Sequence, residues 1–238
     1  MQKTTLLMNK SGMTLFILLT FVTISQGQIN YNHFIAKGQS ELQQEKYLDA
    51  IKSFNIALSS QHDGFEAFFL RGIAKFSLGD YSGAANDFTK TVNFHPLYTR
   101  AYQYRGISYD RLLDYAHAVR DFNKALEIDP FNPDIFLARG DTKMHIRDYE
   151  GAVNDFSASI NLKANVASAW LNRGIAKHFL NKNSEALKDI DKAIYLDYFN
   201  AEAWVKRGMI KYEIDSIESA VADYNHAITL DDSNPFVY

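Results

Sequence analysis

One repeating unit fills almost the whole chain, and its period constrains the fold more than any other feature. Glycine falls at Gly38, Gly72, Gly106, Gly140, Gly174 and Gly208, and alanine at Ala50, Ala84, Ala118, Ala152, Ala186 and Ala220. Large aromatics fall at Phe34, Phe68, Tyr102, Phe136, Trp170 and Trp204. A fourth register reads Phe54, Phe88, Phe122, Phe156, Ile190 and Tyr224. Four registers, each filled six times without an insertion, mark a repeat architecture. The units run 31–64, 65–98, 99–132, 133–166, 167–200 and 201–234.

Each unit predicts two helices. In 65–98, Phe68, Gly72 and Lys75 share one face, and Gly79-Asp80 ends the run. Glycine adopts the left-handed conformation that closes a helix, and aspartate suits the N-cap of the next. Asp114, Asp148 and Ser216 stand at the same cap position, whereas Lys182 breaks the pattern. Ala84, Phe88 and Val92 form the second helical face, and Pro96 stops it, as Pro130 does one unit later. A mid-helix glycine costs about 1 kcal/mol relative to alanine. Its sixfold retention implies a packing gain: Gly72 and Ala84 let two antiparallel helices approach, with Phe68 and Phe88 filling the space beside them.

A second pattern joins the two helices. Arginine precedes the glycine at Arg71, Arg105, Arg139, Arg173 and Arg207, and at one constant offset after these stand Asp87, Asp121, Asp155, Asp189 and Asp223. The first unit has Lys37 and Ser53 instead, so the two residues come together or not at all. An Arg–Asp pair within each unit is expected, because the planar guanidinium fork matches a carboxylate. The alternative, a row of ligand-binding arginines, would not require a matched aspartate.

A 34-residue helix–turn–helix with an aromatic at position 4, Gly at 8, Ala at 20, an aromatic at 24 and a small residue at 27 resembles the tetratricopeptide repeat. Position 27 is Ala57, Thr91, Ala125, Ser159, Ala193 and Ala227. The chain departs from the family in having arginine at position 7 and, at position 11, Lys75, Lys143, Lys177 and Lys211, with Tyr109 the exception. The resemblance implies an all-α fold: a right-handed superhelical solenoid of six antiparallel helix pairs, filling a domain over 28–238. It also implies a concave groove lined by positions 2, 5, 9, 12 and 13 of the first helices. Those positions include Phe69, Ile73 and Phe76; Gln103, Ile107, Asp110 and Arg111; Leu137, Asp141, Met144 and His145; Leu171, Ile175, His178 and Phe179; and Val205, Met209 and Tyr212. Such a surface suits a peptide or protein segment better than a highly charged ligand. Positions 9 and 12 could instead pack between neighbouring units. Family members that grip a C-terminal carboxylate do so with lysine and asparagine at positions 5 and 9, and neither stands there in this chain.

The segment 1–27 differs from the rest. Lys3 and Lys10 precede the uncharged run Met13 to Ile24, and Ser25-Gln26-Gly27 places small residues before Gln28. This is the three-part pattern of a secretory signal peptide, with export to the periplasm or the exterior as its consequence. The alternative is a retained anchor, but a membrane span needs about 20 apolar residues and this run is shorter. There is no cysteine, so an exported fold has no disulfide to lean on and no lipid-bearing cysteine.

Composition narrows the chemistry. Apolar residues make up 47% and charged residues 22%, enough for a packed core, and the net charge of −3 argues against nucleic acid as a partner. No two histidines stand as His-x-x-x-His, and no phosphate loop, dinucleotide fingerprint or serine-nucleophile motif occurs. His145 and His178, if neighbours in the groove, read as polar lining rather than a ligand pair. No cofactor or metal is expected, and the chain is not expected to be an enzyme.

The ends differ. Asn32, Gln39, Ser40, Glu41, Gln43 and Gln44 give the first helix a polar, capping character. At the other end Pro235 to Tyr238 occupy positions 1 to 4 of a seventh unit, and Ala220, Val221, Tyr224 and Ile228 are expected to face solvent or a partner, including a second copy. The leading expectation is therefore an exported, non-catalytic interaction module. The alternative is a scaffold subunit of a cell-envelope assembly, joined through its C-terminal end.

Overall fold

The computed structural model describes residues 30–230. The predicted signal segment at 1–27 and the tail at 235–238 lie outside the described residues. The described chain is all-helical: α1 (30–43), α2 (Tyr47–Ser60), α3 (Phe65–Ser77), α4 (Tyr81–Phe94), α5 (Thr99–Arg111), α6 (Tyr115–Ile128), α7 (Pro133–His145), α8 (Tyr149–Leu162), α9 (Ala167–Phe179), α10 (Asn183–Leu196), α11 (Ala201–Glu213) and α12 (Ile217–Leu230). Odd and even helices pair within each repeat unit, as predicted. The chain divides into two compact units between Tyr104 and Arg105.

The registers explain the pairing. A Cβ placed on Gly72 would stand 2.7 Å from the Phe88 ring, and one on Gly140 would stand 2.5 Å from Phe156. Gly38 faces Phe54, Gly106 faces Phe122, Gly174 faces Ile190 and Gly208 faces Tyr224 in the same way. Position 8 is thus hollowed to seat the side chain at position 24 of its own unit. The six alanines at position 20 are fully buried beneath it. Position 4 has a different job from the one expected: Phe68 does not fill the space beside Gly72 but lies on Phe94 and beside the Arg71 guanidinium.

Every unit turns between its helices in one way. Position 15 has positive φ throughout, at Glu45, Gly79, Leu113, Arg147, Asn181 and Asp215. The next amide then donates back to the carbonyl of position 11, as Asp80 does to Lys75 and Asp148 to Lys143, both at 2.9 Å. Glycine occupies this left-handed site only once. Asp80, Asp114 and Asp148 accept from the backbone amides of Gly83, His117 and Gly151, the N-caps expected of them, while Lys182 gives no side-chain cap.

All five Arg–Asp pairs form. Each arginine donates through Nε and Nη2 to the two oxygens of its aspartate, at 2.8 and 2.6 Å for Arg71–Asp87 and 2.9 and 2.6 Å for Arg139–Asp155. Arg105–Asp121, Arg173–Asp189 and Arg207–Asp223 match them. The aspartates are buried, so a carboxylate there needs this partner. The lysine at position 11 completes the set: Lys75, Lys143, Lys177 and Lys211 each reach the same aspartate at 2.8 Å. The position-4 ring covers the guanidinium, at 4.7 Å for Trp170 over Arg173 and 4.6 Å for Trp204 over Arg207. The remaining arm, Nη1, bonds to position 25 of the preceding unit: Arg71 to Asn55, Arg139 to Asn123, Arg173 to Ser157 and Arg207 to Asp191. In the first unit the acid sits instead at position 11, where Glu41 accepts from Ser53 at 2.6 Å and lies 3.8 Å from Lys37.

Candidate functional site

The residues expected to line a groove separate into three groups. In the first compact unit, Phe69 is buried at 2% exposure among Phe88, Tyr98 and Tyr104. Phe76 lies between Tyr81 and Tyr104, and Ile73 packs on the same cluster. Gln103 is half-buried on α5. The positions of Phe69, Ile73 and Phe76 are filled by their own neighbours.

Leu171 and Val205, at position 5 like Phe69, are likewise buried, at 3% and 8% exposure. Their place is the helix packing and not an open floor. Leu137 is half-buried against Phe156 and Ala152. Position 5 turns inward because it flanks the side chain at position 24, as Phe69 does Phe88 and Leu171 does Ile190, and the sequence alone does not separate that face from the open one.

The second compact unit holds the open surface. A recess of about 440 Å³ lies between α5, α7 and α9. Seven of the predicted residues line it: Ile107, Asp110, Arg111, Asp141, Met144, His145 and Ile175. Ala138, Thr142 and Asn172 join them, with Phe122 behind. A smaller depression of about 80 Å³ shares Ile175 and adds His178, Phe179, Lys206 and Met209. Phe179 stacks on Tyr149 with 4.6 Å between centroids and stays half exposed, and Tyr212 is 60% exposed.

The polar groups of the recess form a diagonal. Asp110, Asp141 and Asn172 stand at positions 12, 9 and 6 of successive units. Asn172 donates to Asp141 Oδ1 at 2.7 Å, and Thr142 donates to Asp110 Oδ1 at 2.7 Å. His145 Nδ1 lies 3.2 Å from that same oxygen. Burial pushes the Asp141 carboxyl up to about 6, with nearby Asp110 adding to the rise while the Asn172 amide, His145 and Arg111 pull the other way. His145 and His178 do not pair: His178 bonds to Asn183 at 2.8 Å and sits 3.4 Å from Glu213. Among the described residues no group of three His, Asp or Glu side chains is placed to hold a metal ion.

The C-terminal helix corrects an expectation. Ala220 is fully buried, because position 20 packs beneath its own glycine, and Tyr224 and Ile228 are half-buried with Val205 and Ala227. Val221 is exposed, as is Ile217. Among the described residues no helix is long and apolar enough to cross a membrane.

Comparison with known proteins agrees with this geometry. Family profiles described as tetratricopeptide repeat match residues 35–92, 99–132, 167–200 and 201–234, together more than half of the chain. No curated protein sequence matches. Among solved structures, the chain is similar to a tetratricopeptide repeat protein from Parabacteroides merdae at 24% identity and a TM-score of 0.67, over 88% of this chain and 82% of that one. It is similar to PilF of Pseudomonas aeruginosa at 15% identity and a TM-score of 0.75, over 89% and 96%. A third structure is YrrB, described as a TPR protein with an unusual peptide-binding site, at 19% identity and a TM-score of 0.64, over 77% and 95%. With six helix pairs in one register and the same repeat matched along the sequence, the chain belongs to the tetratricopeptide-repeat family.

Proposed function

We propose that this protein is a non-catalytic interaction module that holds a peptide or protein segment on the first-helix face of its third to sixth repeats. The observation that carries this reading is the recess between α5, α7 and α9, continued by the smaller depression at Phe179 and Met209. Exposed apolar side chains beside a few fixed polar groups suit segment recognition. The peptide-binding site ascribed to the similar YrrB structure favours the same use of the fold. The segment 1–27 favours export, so the partner would be met in the periplasm or outside the cell. Selection of a displayed random dodecapeptide library on the purified protein tests the reading. Enriched peptides should bind the Phe179→Ala/Met209→Ala variant more weakly, and unchanged binding would remove the groove from consideration. N-terminal sequencing of the protein recovered from its native cells should find Gln28 first; an intact Met1 would favour a retained anchor.

A second reading, a scaffold subunit joined through α12, rests on Ile217 and Val221, both about half exposed on that helix. Light scattering over a concentration series should show self-association if a second copy covers them. A constant monomer mass would count against that form.

A further inference from the structure

We infer that the recess between α5, α7 and α9 anchors a lysine or arginine side chain of the bound segment. The inference rests on the groove reading and names what the groove selects. Two carboxylates line the recess, and each has one oxygen engaged by the protein. Asp141 Oδ1 accepts from Asn172, and Asp110 Oδ1 accepts from Thr142 with His145 beside it. Among the described residues no donor reaches either Oδ2. A half-buried carboxylate with an open oxygen gains most from a cationic donor brought by a ligand. Arg111 is the one full positive charge in the lining, and it is exposed at the edge. Two carboxylates against one guanidinium leave the recess net acidic, with His145 adding positive charge only when protonated.

Shape points to the same occupant. Ile107, Met144 and Ile175 supply apolar walls around the carboxylates. A lysine or arginine side chain has an apolar stem and a charged end, so it can meet both at once. The volume of about 440 Å³ falls in the range of about 300–1,000 Å³ of ligand-sized pockets. Neither a wholly apolar side chain nor an acidic one satisfies the two open oxygens.

Dodecapeptide display against the wild type, the Asp110→Asn/Asp141→Asn variant and the Phe179→Ala/Met209→Ala variant decides the matter. Peptides selected on the wild type should share one basic position and bind the double asparagine variant at least about tenfold more weakly. Enriched peptides with no basic position, or with equal affinity for the asparagine variant, would overturn the anchor while leaving the groove standing. No enrichment on the wild type would overturn both. A second measurement needs no variant: amide chemical shifts of the wild type titrated with Nα-acetyl-lysine N-methylamide and with its norleucine counterpart. Ile107, Ala138 and Asn172 should respond to the lysine compound alone. An equal response to norleucine, or none to either at millimolar concentrations, would refute the anchor.

Discussion

Repeats two and four are built on the same frame and carry opposite faces. Gly72 seats Phe88 as Gly140 seats Phe156, and Arg71–Asp87–Lys75 matches Arg139–Asp155–Lys143. Yet positions 5, 9 and 12 are Phe69, Ile73 and Phe76 in one, closed over by Tyr81, Tyr98 and Tyr104. In the other they are Leu137, Asp141 and Met144, and a recess opens there. The comparison teaches that frame and face vary independently: position 8 answers to position 24, and position 7 to positions 11 and 23, while positions 9 and 12 are free to be filled or left hollow.

The largest test of that separation strikes the frame. Asp155→Ala leaves Arg139 and Lys143 without their buried carboxylate and should cost about 3–5 kcal/mol in urea unfolding. Asp87→Ala in repeat two should cost a similar amount; a large disparity would mean the frames differ after all. Replacing Arg139 and Asp155 together should cost less than the two single changes summed, and simple additivity would sink the pairing.

A smaller effect probes the hollow face through pH. The Asp141 carboxyl is raised from 3.8 to about 6 in the folded chain, chiefly by burial, among Asp110, Arg111, His145 and Asn172. Between those values the folded state keeps a proton that the unfolded state gives up. Stability is therefore favoured at low pH, falls as pH rises through this window, and levels off above about 6, a change of about 2–3 kcal/mol. Asp141→Asn should lose that portion of the pH dependence relative to wild type; identical profiles would contradict it. Asp141→Ile, which gives repeat four the residue type of repeat two, should gain roughly 1 kcal/mol at pH 7 and remove the pH effect.

The turn offers a change of about 1 kcal/mol in the favourable direction. Leu113 has φ of 62° at an exposed site, and Leu113→Gly should raise the melting temperature, since glycine holds that conformation without strain. The least effect on stability belongs to the face. Phe179→Ala should change it by about 0.5 kcal/mol or less while weakening peptide binding, because the ring is half exposed beside the rings of Tyr149 and His178.

Where the sequence was legible, each residue answered to another at a fixed offset within one repeat. Gly72 stands as far from Phe88 as Arg71 does from Asp87, and six or five copies of each spacing made the relation visible. Lys143 was legible in principle, since position 11 holds lysine in four of the five repeats that carry the aspartate, Asp155 in its case. Taken without the aspartate, it stands only as a departure from the family pattern. The recess was harder. Asp110 and Asp141 are legible one by one as groove positions, but Asn172 is not, and the three are joined by steps shorter than one repeat across three different registers, so a search within any one register does not connect them. Position 5 misled for a different reason: Phe69, Leu171 and Val205 are apolar whichever face they serve, and only packing tells a floor from a core.

The third arm of four arginines has a consequence for how such a chain can be edited. Arg71, Arg139, Arg173 and Arg207 all reach back to an oxygen at position 25 of the unit before them, supplied by asparagine, serine or aspartate alike. Removing or duplicating one whole repeat in phase would hand every such arginine a new acceptor at the same place, and no charge would be stranded. The first unit is built differently: Glu41 takes both the Ser53 hydroxyl and Lys37 as partners within the unit. Units that carry this backward bond are thus interchangeable couplings, and the array can change length among them without a change of chemistry at the joints.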